Sequence, residues 1–96
     1  MPVLKQKMTQ KEFSNALQDA RLNLKTRGIL ATLQTMEIGA EFTLEGLAEC
    51  MPDSYPIILR CVRDLERCGY VERRGVYEGG YKTGSEYRLC NDNDRA

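Results

Sequence analysis

S-Y-P-I-I-L-R-C-V-R-D-L-E-R-C-G, residues Ser54 to Gly69, reads as a single amphipathic helix. Ile58, Cys61, Val62 and Leu65 recur at helical spacing and form an apolar stripe. At about 100° per residue, Arg60, Arg63 and Arg67 come together on the opposite face. Pro56 suits the first helical position, where its missing N–H costs nothing. The N-cap falls on Ser54 or Tyr55, and the extended preference of a residue before proline favours Tyr55. Gly69 stands where a left-handed C-terminal cap is wanted, which bounds the helix at about 56–68. One buried face and three arginines opposite suit a helix that reads nucleic acid. The same pattern serves a solvated surface helix, with Arg60–Asp64 and Arg63–Glu66 as intrahelical ion pairs contributing about 0.2–0.5 kcal/mol each. The flanking chain separates the two.

Upstream, Thr43 is an N-cap candidate for a short helix over about 44–50, with Leu44, Leu47 and Ala48 apolar. Met51-Pro52-Asp53 makes the turn, so the two helices form a helix-turn-helix. Downstream of Gly69 the period changes from helical to alternating. Residues 70–74 read as one strand with Val71 inward, and 85–90 as another with Tyr87 and Leu89 inward. Between them G-V-Y-E-G-G-Y-K-T-G reads as a glycine-rich hairpin loop.

Earlier still, Thr9-Gln10-Lys11-Glu12 has the form of a capping box and opens a helix near 10–20. Asn23 caps a second helix whose Leu24, Ile29, Leu30, Leu33 and Met36 face a core, and which ends at Ile38-Gly39-Ala40. Gly28 inside it marks either the close approach of another element or open surface. Glu41-Phe42 is too short to be a strand alone but can pair with the later hairpin. Met1 to Met8 reads as loose chain, and Asn91 to Ala96 as a polar tail. The first helix can pack on the chain's own core or on a second copy, so a homodimer with two half-sites stays open.

The order is helix, helix, short strand or loop, helix, helix, strand, loop, strand. This is the α+β layout of a winged helix-turn-helix, a helix bundle followed by a β-hairpin wing over about 70–90. Ninety-six residues make one such domain over 1–96, with an ordered core of about 10–90 and short polar tails. No apolar run approaches a membrane span and no signal peptide pattern is present, so the expected location is the cytoplasm.

Formal net charge is zero, but its distribution is not even. Residues 1–27 hold six bases against two acids, 37–53 hold five acids and no base, and 60–88 hold seven bases and five acids. The four cysteines make no C-x-x-C pair and there is no histidine, so they read as reduced, small hydrophobes without a metal or other cofactor. No nucleophile–base pair or phosphate loop is present, and enzyme activity is not expected.

The residues also resemble a known family. A-L-Q-D-A-R-L-N-L-K-T-R-G-I-L-A-T-L (16–33) resembles the entry to the winged-helix domain of replication initiators and replisome organisers of Gram-positive plasmids, phages and conjugative elements. F-T-L-E-G-L-A (42–48) resembles that domain's second helix, R-C-V-R-D-L-E-R-C-G-Y-V (60–71) its third helix and first wing strand, and G-S-E-Y-R-L (84–89) its returning strand. The likeness covers about residues 15–90, and its L-E-x-x-G-Y-V part also looks like many winged-helix repressors. It implies double-stranded DNA binding, in the replication or transcription of a mobile element. Members of that family usually carry a second domain. Glu45 and Glu49 also depart from the pattern, because negative charge on the helix that crosses the backbone opposes phosphate.

In a winged helix the third helix enters the major groove, where an arginine can hold guanine O6 and N7 together. Arg60 and Arg63 are therefore the candidates for base edges, Arg67 for phosphate, and Tyr55 for stacking or a hydrogen bond at the helix start. Arg73, Arg74 and Lys82 of the wing are candidates for phosphate or the minor groove, and Lys25 and Arg27 for a backbone phosphate. Tyr77 and Tyr81 lie near the wing tip, where they either pack on their own hairpin or stack on a base. The alternative to DNA binding is a protein-interaction module whose partner docks on the acidic surface at Glu45 and Glu49.

Overall fold

A computed structural model describes residues 2–90, and the polar stretch 91–96 lies outside the described residues. The domain is α+β: four helices and a three-stranded mixed sheet, in the order β1 (Pro2–Gln6), α1 (Gln10–Leu17), α2 (Leu24–Thr35), α3 (Leu44–Glu49), α4 (Tyr55–Arg67), β2 (Val71–Glu78) and β3 (Tyr81–Leu89).

Local chemistry sets the helix starts. The Thr9 hydroxyl accepts the Glu12 N–H at 3.1 Å and the Glu12 carboxylate accepts the Thr9 N–H at 2.8 Å, a complete capping box. Asn23 Oδ1 accepts the Thr26 N–H at 2.8 Å, and the Thr43 hydroxyl accepts the Gly46 N–H at 2.9 Å. At α4 the cap position is Ser54, not Tyr55: the Ile57 and Ile58 N–H groups both donate to the Ser54 carbonyl. Proline thereby occupies the second helical position, where its N–H would again have no intrahelical acceptor. Gly69, at φ +86°, closes α4 as expected, with the Tyr70 N–H donating to the Leu65 carbonyl at 2.9 Å.

Ile58, Cys61, Val62 and Leu65 of α4 pack with Ile29, Leu30 and Leu33 of α2 in one core, which Val71, Tyr87 and Leu89 close from the sheet. Phe42 meets Tyr87 edge-on, with ring centroids 5.0 Å apart. Ala16, wholly buried, seats α1 on this same core. Leu24 departs from expectation and is 82% exposed. It stands about 180° round the helix from Leu33 at 100° per residue, and buried Leu22 fills the core position instead. Gly28 faces open space, so no element approaches it. Helix α1 also stops at Leu17 rather than near residue 20.

The sheet holds two corrections. Residues 2–8 are not loose, and Met1 lies outside the described residues: β1 pairs in parallel with β3, aligning Leu4 with Tyr87, and buries Leu4 completely. Glu41 bridges to Val3, so the 41–42 segment pairs with β1, which stands between it and the hairpin. The Leu4 N–H donates to the Ala40 carbonyl and the Phe42 N–H to the Pro2 carbonyl, both at 3.0 Å. The second correction is the hairpin. Its strands run on through the expected loop, pairing Gly75 with Ser85 and Val76 with Gly84, and a register shift follows Val76. Only Gly79 and Gly80, both at positive φ, are left for the turn.

Candidate nucleic-acid interface

The outer face of α4 carries Arg60, Arg63 and Arg67, all exposed. The intrahelical pairs expected for the first two do not form. Asp64 is taken by Arg67, and Glu66 turns away to the hairpin, where its Oε1 lies 2.5 Å from Arg73 Nε. Arg60 and Arg63 are thus left without an ion-pair partner among the described residues.

The Arg73–Glu66 pair fixes the hairpin against α4. Arg73 lies opposite Tyr87 in the β2–β3 ladder, on the face that covers the core. Burial raises the Tyr87 pKa against the opposing hydrogen bond and charge of Arg73, and the Arg73 pKa is raised, against its own burial, by Tyr87 and then Glu66. Sequence reasoning assigned Glu66 to its own helix. No local signal distinguishes that partner from an arginine seven residues on, because the second contact requires the chain to turn at Gly69.

Between the α3 start, the α4 start and the hairpin lies an open groove of about 480 Å³, lined by Tyr55, Glu45, Glu66, Arg73, Lys82 and Tyr87 among others. Tyr55 is 38% exposed at its rim. The structure therefore brings Tyr55, Arg73, Arg74 and Lys82 to one groove, beside the arginine face of α4. It also brings Glu45 there, an acid whose charge opposes an anion in the groove.

Arg74 reaches the groove from a ladder position that alternates with Arg73, and its Nε is 2.6 Å from Glu72 Oε1 of its own strand. Lys25 and Arg27 stand apart. Lys25 Nζ is 3.0 Å from Asp53 Oδ1, tying α2 to the α3–α4 turn. Arg27 is half-buried and donates from Nη2 to the Asp19 carbonyl at 2.9 Å, so it serves the fold rather than the surface. Lys82 is exposed and has no ion pair among the described residues. Tyr77 and Tyr81 are 64% and 79% exposed.

Cys61, Cys68 and Cys90 are buried and Cys50 is exposed. Among the described residues there is no group of three or more His, Cys, Asp or Glu side chains that could hold a metal ion. No helix among them is long and apolar enough to cross a membrane. The chain matches no protein-family model, no curated protein and no solved structure.

Proposed function

We propose that the chain is a winged helix-turn-helix domain that binds double-stranded DNA sequence-specifically, as a transcriptional regulator or an accessory replication factor and not as an enzyme. In this reading α4 enters the major groove and the β2–β3 hairpin is the wing, lying along the backbone or the minor groove. The observation that carries it is the pair Arg60 and Arg63: exposed on the outer face of α4, free of ion pairs among the described residues, and flanked by the hairpin. Uncompensated guanidinium groups on a rigid helix are preorganised for bidentate contact with guanine. Arg67 and Lys82 flank them as phosphate contacts. Arg67, Arg73 and Arg74 already hold carboxylates and would have to share them.

The test is a salt titration of binding to labelled duplex, followed by site selection. A log–log slope of about −3 or steeper is expected, since each neutralised phosphate contributes roughly −0.9. Arg60→Ala and Arg63→Ala each weaken binding to the selected site by about 1–3 kcal/mol and relax its sequence preference. Variants that bind every sequence as the parent does would show the wrong face to have been chosen.

A second reading draws on Glu45 and Glu49, both exposed on α3 without an ion pair among the described residues. There the domain is a protein-interaction module with a basic partner. It requires absent salt-sensitive DNA affinity and a partner that is lost on charge reversal at Glu45 and Glu49.

A further inference from the structure

The hairpin tip carries two aromatic rings that the core does not use. Tyr77 and Tyr81 flank the Gly79–Gly80 turn and are 64% and 79% exposed. Neither hydroxyl has a hydrogen-bond partner among the described residues. Two large exposed rings at one tip are not required by packing, and their placement is specific. Tyr77 lies directly across the ladder from Lys82, and Tyr81 across from Glu78. Directly paired residues share a face and successive residues alternate, so the two rings project from opposite faces of the tip. Tyr77 shares the groove-facing side with Lys82, beside α4. Its ring lies over Gly75 so closely that a Cβ there would come within 2.8 Å of Tyr77 Cε2. The glycine leaves room for the ring to rest on the strand.

We propose, resting on the duplex-DNA reading above, that the tip is a two-faced pin for a duplex–single-strand junction. Tyr77 stacks on the terminal base pair and Tyr81 on the first base of the unpaired strand, while Lys82 holds the phosphate beside Tyr77. A tip with a ring on each face is about 10 Å thick. The minor groove of intact duplex is only about 6 Å wide. On an unopened duplex the tip therefore takes the first of the wing's two placements above, along the backbone, whereas at a junction both ring faces find bases. Stacking on aromatic side chains tolerates any base, so this contact supplies substrate form, and α4 supplies sequence.

The experiment compares the full chain on three labelled probes: a blunt duplex, the same duplex with an unpaired arm, and the arm alone. The parent is expected to bind the armed duplex at least about tenfold more tightly than either other probe. Tyr77→Ala and Tyr81→Ala each weaken armed-duplex binding by about fivefold or more and so remove most of that advantage. Both leave blunt-duplex affinity unchanged, and Tyr77→Phe and Tyr81→Phe retain the advantage. Both positions are exposed, so circular dichroism is expected to show every variant folded. The proposal falls if the parent binds blunt and armed duplexes equally, or if the arm alone binds as well as the armed duplex. Alanine variants that keep the advantage, or lose blunt and armed binding alike, also overturn it. In each of these cases salt-sensitive duplex binding leaves the DNA reading standing, whereas no binding to any probe at low salt removes both.

Discussion

Asp19 and Tyr70 show how a polar contact fastens two distant parts of the chain. The Tyr70 hydroxyl donates to Asp19 Oδ2 at 2.5 Å, and Arg21 holds the same carboxylate from Nε and Nη2. The link ties the α1–α2 connection to the start of β2. Hydrogen bonding from Arg21 first, and from Tyr70 next, holds the Asp19 pKa well below the usual carboxylate range, against a smaller opposing effect of burial. Burial, and then the Asp19 carboxylate, push the Tyr70 pKa up to about 12. The two shifts give stability opposite pH limbs. For Asp19 the folded pKa is depressed, so its contribution is complete above the unfolded value of about 3.9 and is lost as pH falls below it. For Tyr70 the folded pKa is raised, so its contribution is complete below about 10 and is lost as pH rises towards 12. Urea midpoints measured against pH are expected to show the acid loss reduced in Asp19→Asn and the alkaline loss reduced in Tyr70→Phe. Unchanged limbs in both variants would mean that the contact contributes nothing in solution.

At the scale of elements, β1 is the structural surprise and the clearest test. Leu4 is wholly buried against the sheet's core face, while Val3, its neighbour, faces the other side and is only half-buried. Leu4→Ala is expected to destabilise the domain by about 2–5 kcal/mol, and Val3→Ala by no more than about 1 kcal/mol, in urea denaturation. Equal and small effects would show that β1 is not part of the cooperative unit. The strand was not legible because P-V-L-K-Q has little alternation and its partner lies more than eighty residues away in sequence, at Ser85 to Arg88. By contrast, the α4 register was legible residue by residue, since one helix carries both its apolar stripe and its arginine stripe. The exposure of Leu24 was also recoverable, because the spacing to Leu33 alone places the two on opposite sides. What local patterns could not show was which acid each arginine would find: Glu66 chose Arg73 only because the hairpin folds back beside α4. The arginine face of the candidate site was therefore readable in advance, and the groove beside it was not.

On the scale of the whole molecule, fourteen bases balance fourteen acids, so no net field steers the chain towards a polyanion. In the DNA reading, binding comes from the local pattern, and there Glu45 and Glu49 set the opposing influence. Both are exposed on α3, and Glu45 lines the groove that holds Tyr55, Arg73 and Lys82. If α3 crosses the DNA backbone, each carboxylate stands near a phosphate with repulsion of about 1 kcal/mol at contact distance in water, decaying over a Debye length of about 10 Å at moderate salt. Glu45→Gln and Glu49→Gln are then expected to tighten duplex binding by roughly two- to fivefold each at low salt, with the gain shrinking as salt rises. Selectivity for the preferred site is expected to stay unchanged, because the gain acts on the backbone and not on base edges. The protein-interaction reading requires the opposite sign: the same neutralisations leave DNA affinity untouched and weaken capture of a basic protein. Measuring both binding modes on one pair of variants separates the readings, because removing the same charge strengthens contact with phosphate and weakens contact with a basic surface.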